Sequence, residues 1–259
     1  MPTDVQPEAN DQLWESDGLV GEYANRTLRP VETVLLVRFR DDLGGRVLEL
    51  GCGAGRLTGY LADLSSEVEG LDVSDEMLAY ARSRYPKASF RRGDIRDLSA
   101  EPDASRDAVV AGYNLPDILT DEDRGVLMDE VHRMLVPGGL FVFSTHNLGA
   151  ADARERPTDV RRDHPLRLAA DLVRMPRRVR NSRRLRSSER HEPGYAILND
   201  VSHDFRALHY YISRDDQERQ LGEHGFELIE CLDLDGATVG PSETAAHSSE
   251  LHYAARRRG

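Results

Sequence analysis

The 259-residue sequence predicts an α/β fold: a mostly parallel sheet with helices on both faces. Three observations carry that expectation. Short apolar runs at Val47–Leu50, a stretch ending at Gly70–Val73, Ser89–Arg92, Asp107–Gly112 and Leu140–Ser144 alternate with helical patterns, as strands joined by helical crossovers do. A glycine-rich bend, Gly51-Cys52-Gly53-Ala54-Gly55, sits where the first strand passes into the first of these helices. Two terminal strand-like runs, Phe226–Leu234 and Glu250–Ala255, bring the expected total to seven strands.

Each element has a local reason. Residues 1–18 are polar and read as a frayed lead-in. From Leu19 to Arg40 apolar residues recur at helical spacing, with Pro30 separating two helices. The helix after the glycine bend runs through Leu64, and Ser74 caps the helix Asp75–Arg84. Thr120–Leu135 is a strongly patterned helix, with Thr120 at its cap and Asp123 as capping-box partner. Pro137-Gly138-Gly139 then ends it in a turn before the fifth strand. Residues 149–194 break the rhythm. They are Arg-rich, contain Pro157, Pro165, Pro176 and Pro193, and hold one modest amphipathic stretch, Leu166–Val173. Tyr195–Ile212 is strand-like, and the helix Arg214–His224 stops at Gly225. The chain therefore divides into an N-terminal helical segment (1–40), a core (41–148), an insertion (149–212) and a C-terminal completion of the sheet (213–259).

A formal charge of −12 argues against the whole surface being a nucleic-acid footprint. The charge is uneven, because residues 151–191 hold 13 Arg against 6 acidic residues. Lys87 is the only lysine, so the signal is the density of positive charge there and not the choice of arginine. Cys52 and Cys231 alone give no disulfide framework and fit a reducing compartment. The first fifteen residues do not resemble a signal peptide, and no apolar run reaches the roughly 18 residues of a membrane span. A cytoplasmic protein with no membrane partner is expected.

The strongest motif is Glu49-Leu50-Gly51-Cys52-Gly53-Ala54-Gly55. A strand running into such a turn lets backbone approach a ligand closely. A nicotinamide-binding turn uses the spacing G-x-G-x-x-G, whereas here the spacing is G-x-G-x-G with an acid two positions ahead. That acid would repel a pyrophosphate and suits a ligand bearing an ammonium, which decides against NAD.

With these motifs in order, the chain resembles the class I S-adenosylmethionine-dependent methyltransferases over roughly residues 20–147 and 205–256. The resemblance implies a Rossmann-like seven-stranded sheet closed by an antiparallel hairpin, with the Arg-rich insertion after the fifth strand. It implies S-adenosyl-L-methionine as cofactor, with S-adenosyl-L-homocysteine as product. Glu49, Gly51, Cys52, Gly53 and Gly55 would form the turn around its amino-acid part. Asp72, beside Val73, would hold both ribose hydroxyls, as a carboxylate accepting two donors can. Met77 would pack on adenine, Asp94 would accept from its exocyclic amine, and Ile95 would offer its backbone N–H. Tyr23 and Arg26 match positions that contact the methionine carboxylate in some relatives, and Asn114 is placed at the pocket lining.

Displacement at a sulfonium methyl needs alignment and desolvation, with a base where the nucleophile carries a proton. The acceptor should arrive beside the ends of strands four and five. His146 is the first candidate for base or positioning group, because histidine titrates near neutral pH. His203 and His209 are the runners-up. No metal site is expected. The cationic insertion, placed where relatives carry lids, suggests an acceptor with a carboxylate or phosphate. The expected activity is methyl transfer to O or N of a small molecule, such as a specialised metabolite. RNA or peptide methylation and a non-catalytic cofactor-binding subunit are the alternatives, and self-association into a homo-oligomer is a further expectation.

Overall fold

The innermost strand residues, 47–50, 108–111 and 140–145, are buried without a break, because both faces of the sheet are covered there. The computed structural model describes Asn10, residues 27–151, Ala153 and residues 155–259. Tyr23, Arg26 and the helix expected from Leu19 to Pro30 fall outside them for all but their last residues.

Helix α1 (Pro30–Arg38) starts with proline in its first turn, where the missing N–H costs nothing. It leads into β1 (Arg46–Leu50), α2 (Arg56–Leu64), β2 (Glu67–Asp72), α3 (Asp75–Arg84), β3 (Ser89–Arg92) and β4 (Arg106–Ala111). Next come α4 (Asp121–Met134) and the long β5 (Leu135–Asn147). The insertion supplies α5 (Pro165–Leu185), β6 (Arg190–Glu192), β7 (Tyr195–Leu198) and β8 (His209–Ile212). The chain closes with α6 (Arg214–Glu223), β9 (Phe226–Leu232) and β10 (Glu250–Arg257).

Strands β3-β2-β1-β4-β5 are parallel neighbours in that order. β10 runs antiparallel between β5 and β9, which is the expected closing hairpin. Alternate strand residues serve opposite faces. Val47, Val68, Val110 and Val142 pack with Val31 and Leu35 of α1, with Phe39 just past its end, and with Leu57 and Leu61 of α2. Leu48, Leu71, Val109 and Phe141 pack with Leu127, Met128 and Val131 of α4 and Leu221 of α6.

The seven expected strands are present, but the sheet has ten. β4 ends opposite Phe143, which leaves one edge of the β5 tip open. β8 takes that edge through His146↔Tyr211 and Asn147↔Ile212, and β7 and β6 follow as an antiparallel extension. Residues 190–212 are thus joined to the sheet by backbone hydrogen bonds where the core strands end.

Four local expectations need correction. Pro137-Gly138-Gly139 does not separate helix from strand, since β5 already starts at Leu135 and bulges, its register jumping from Arg106↔Leu135 to Ala108↔Leu140. Gly138, at φ +76°, supplies the left-handed residue of that bulge. Thr120 caps α4 by accepting from the Asp123 N–H, but the Asp123 carboxylate accepts the Thr120 hydroxyl and not a backbone N–H. The amphipathic stretch Leu166–Val173 is part of a 21-residue helix that continues through Pro176. Residues 1–18 are not uniformly frayed, because Asn10 is buried and its amide donates to the carbonyls of Ile118 (3.0 Å) and Leu208 (2.9 Å).

Candidate active site

β1 and β2 end side by side, and the bends that follow them form one wall of a cleft. Gly51 adopts φ +61°, and a Cβ there would meet the Leu115 side chain at 2.6 Å, so only glycine lets the bend close against the opposite wall. Gly53 donates its N–H to Asp72 Oδ2 (2.8 Å) and Ser74 donates to Oδ1 (2.9 Å). These bonds fix the carboxylate at the cleft, and the second lone pair of each oxygen remains for a ligand. Burial nevertheless raises the Asp72 pKa above the usual carboxylate range.

Glu49, on β1, is buried and accepts a hydrogen bond from the Thr58 hydroxyl. Burial is the chief cause that pushes its pKa up to about 8; Thr58 and Arg56 oppose the rise without cancelling it. Arg56 does not neutralise Glu49, because its guanidinium is forked onto Glu32 at 2.6 and 2.9 Å. An acid beside a cleft and short of positive charge favours a cation there. Cys52 packs inward, and burial raises its thiol pKa. Cys52 is nonetheless part of the cleft lining, whereas Gly55 is not, since Tyr85, Ala81 and Phe90 crowd it.

The far end of the cleft is apolar. Val73, Met77, Ile95, Leu115, Ile118 and Leu119 supply apolar lining to the cleft. The Met77 N–H is held by the Ser74 hydroxyl, as expected of a cap. Asp94 also lines the cleft, but Arg96 grips both its oxygens, with contacts of 2.7 to 3.0 Å. That fork outweighs burial and lowers the Asp94 pKa. A ligand amine at Asp94 would share the carboxylate with Arg96. Asn114 is not among the cleft-lining residues, because its side chain donates to Glu250 Oε2 (2.7 Å). Its neighbour Tyr113 lines the cleft instead, with the guanidinium carbons of Arg29 and Arg56 4.3 and 4.7 Å from its ring centre.

The turn Leu115–Ile118 carries the cleft on one side and a second polar cluster on the other. Its Asp117, wholly buried, accepts from the His146 backbone N–H (2.6 Å) and stands 2.7 Å from His146 Nδ1. The Thr145 hydroxyl and Arg124 bind the other oxygen at 2.5 and 2.7 Å. His146 at the tip of β5 stacks on His209 of β8, ring centres 5.0 Å apart, and on Tyr211 at 4.8 Å. His209 is in turn oriented by Asp200 (2.9 Å), which also accepts the Tyr211 hydroxyl (2.7 Å). Burial lowers the His209 pKa, but Asp200 more than restores it, so the net shift is upward. His146, Asp200 and His209 hold potential metal-ligand atoms within 4.8 Å of one another.

The structure thus brings His146 and His209 together, whereas His203 sits in the separate turn Ser202–Asp204. Sequence reading missed Asp117, Arg124, Asp200 and Arg56. Only Arg56 had a local signal, being the residue next to Gly55. Among the described residues, no arginine of 149–212 lines the cleft. Arg161 and Arg178 pair with Asp171, and Arg177 and Arg178 pair with Asp204.

A family model described as a methyltransferase domain matches residues 47–139. A probable S-adenosylmethionine-dependent methyltransferase of Mycolicibacterium smegmatis is 40% identical over 104 residues, covering 40% of this chain and 39% of that protein. A ubiquinone biosynthesis O-methyltransferase of Xanthomonas oryzae is 31% identical over 141 residues, covering 53% and 57%. The chain therefore spans between two fifths and three fifths of these relatives. In fold, a Burkholderia thailandensis 1,6-didemethyltoxoflavin-N1-methyltransferase, solved with 1,6-didemethyltoxoflavin and S-adenosylhomocysteine bound, superposes with a TM-score of 0.62 at 14% identity, over 98% of this chain and 89% of that one.

Proposed function

We propose that the chain is a class I S-adenosylmethionine-dependent methyltransferase that methylates an oxygen or nitrogen of a small molecule, with His146 taking up the acceptor's proton. The observation that supports the reading is the His146–Asp117 pair on the turn whose other side walls the cleft, although His146 itself is not among the cleft-lining residues.

The donor set fits the cofactor chemically. Glu49 suits an ammonium, the two oxygens of Asp72 suit vicinal hydroxyls, and Met77 and Ile95 suit the faces of a base. When bound, S-adenosylmethionine supplies an electrophilic methyl on a positively charged sulfur. The protein's own tasks are then to align the acceptor, exclude water and receive a proton. Asp117 accepts from His146 Nδ1, which leaves Nε2 as the base. Arg124 and Thr145 hold Asp117, so the imidazole has little freedom to turn. The relatives' small acceptors support the substrate class, but among the described residues no arginine of 149–212 lines the cleft, so an anionic group is not part of the proposal.

The test uses labelled cofactor and fractionated extracts. Label in small molecules supports the reading; label only in RNA or protein, or none transferred, overturns it. With an acceptor in hand, His146→Ala should lower kcat about a hundredfold while cofactor affinity, read by calorimetry, stays within about threefold. Unchanged turnover would remove His146 from the reaction.

The cluster of His146, Asp200 and His209 favours one second reading, a divalent cation that binds the acceptor. Dialysis against a chelator leaves turnover intact if His146 is the base. Loss restored by zinc or manganese would favour the cation.

A further inference from the structure

Helix α5 exposes a surface that the methyl-transfer site does not use. Asp171, Arg178 and Leu185, seven residues apart, form its buried stripe. Leu185 packs with Ile197, Leu208, Tyr210 and Ile212, and Arg178 pairs with Asp171 and Asp204. The helix is therefore fixed in orientation on the β7–β8 extension.

The opposite side faces solvent. Leu166, Ala169, Val173, Arg177, Arg180 and Arg184 recur at intervals of three and four, which puts them on one face, and all are exposed. Val173 at 81% and Leu166 at 74% are the two most exposed large apolar side chains among the described residues. Burying neither of them in the protein has a cost unless something else covers them. The first half of this face is apolar and the second half cationic. Arg180, Arg183 and Arg184 form no ion pair among the described residues, while Arg177 pairs with Asp204. This concentration of positive charge stands out in a chain whose net charge is −12.

We propose that the outward face of α5 docks on an anionic lipid bilayer, with Leu166 and Val173 entering the acyl boundary and Arg180, Arg183 and Arg184 meeting the headgroups. A helix that lies in the plane of a membrane has this division, apolar side chains for the acyl boundary and arginines for anionic headgroups. Charge complementarity alone would also suit a nucleic acid, but exposed aliphatic side chains add nothing to a phosphate contact. The helix has no aromatic residue on which a base could stack.

Sedimentation of the full chain with phosphatidylcholine vesicles, with and without phosphatidylglycerol, tests the proposal. Binding is expected only to vesicles with phosphatidylglycerol and should weaken as salt rises. Each arginine at such a surface is worth about a fivefold change in partitioning. Arg180→Glu with Arg183→Glu and Arg184→Glu should therefore lower binding at least about a hundredfold. Leu166→Ser with Val173→Ser should also lower it, at least about tenfold. Cofactor binding measured calorimetrically should be unchanged in both variants, which separates a failure here from a failure of the methyltransferase reading. The proposal is overturned if anionic vesicles are not bound, or if neutral vesicles bind equally. It is also overturned if the serine pair has no effect, or if the chain takes up RNA and ignores vesicles.

Discussion

Glu49 is a carboxylic acid enclosed by the sheet and α2, with a pKa pushed up to about 8 by burial. A folded-state pKa above the unfolded value means that its contribution to stability is present at low pH and is lost as pH rises through about 8. Glu49→Gln should therefore raise the melting temperature of the cofactor-free protein at pH 9, as differential scanning calorimetry would read. The same change should weaken S-adenosylmethionine binding by about thirtyfold, because a charge-assisted contact is lost. Cofactor binding near pH 7 should release up to one proton as Glu49 ionises beside the ammonium. Titration calorimetry in two buffers of different ionisation enthalpy checks this, and the release should vanish in Glu49→Gln. Glu49, the glycines and Asp72 were legible in the sequence because a strand end and a tight bend fix their spacing over a few residues. Asp117 and Asp200 were not, since Asp117 meets His146 across 29 positions and nothing beside either residue marks the meeting. Asn114 looked like a lining residue from its place after β4, but its left-handed backbone turns the side chain toward Glu250.

At the scale of elements, α4, the turn Leu115–Ile118, β8 and α6 meet at one side chain. Arg124 is wholly buried and binds Asp117, Gln217 (2.7 Å) and Gln220 (3.2 Å), while Tyr210 stacks on it with 4.6 Å from guanidinium to ring centre. Breaking a buried pair leaves the partner charge uncompensated, so Arg124→Ala should cost about 3–5 kcal/mol of stability, measured by denaturant unfolding. Double substitution with Asp117→Ala should cost less than the sum of the two single changes. β1, β4, α2, α3 and α4 were legible because apolar residues recur along them, and α6 was legible from the Gly225 that ends it. α5 was read short for a physical reason: its buried stripe is Asp171, Arg178 and Leu185, two charged residues and one apolar, so no apolar period marks it. Pro176 reinforced that error, although the helix passes through it. β5 was read as starting at Leu140 because Pro-Gly-Gly is ordinary turn chemistry, whereas here it forms a bulge inside a continuing strand.

For the whole molecule, the parallel order β3-β2-β1-β4-β5 places the cofactor cleft at one end of the sheet, and β8 extends the sheet from the tip of β5. The strand character of residues 195–212 was legible, but their attachment to β5 was not, because a two-residue parallel pairing leaves no pattern of its own. Asn10 spans the same junction, donating to Ile118 on the cleft wall and exchanging bonds with the backbone of Leu208, 198 positions away. Asn10→Ala should cost about 1–3 kcal/mol, since three buried backbone groups lose their partner, and thermal unfolding would show it. A single amide that closes so long a loop has a kinetic signature. Its ring can shut only after both distant strands of the chain have taken their places, so it belongs to the last steps of folding and the first steps of opening. The backbone proton of Leu208 is therefore a built-in clock: its rate of exchange with deuterated water counts how often the two halves of the junction part.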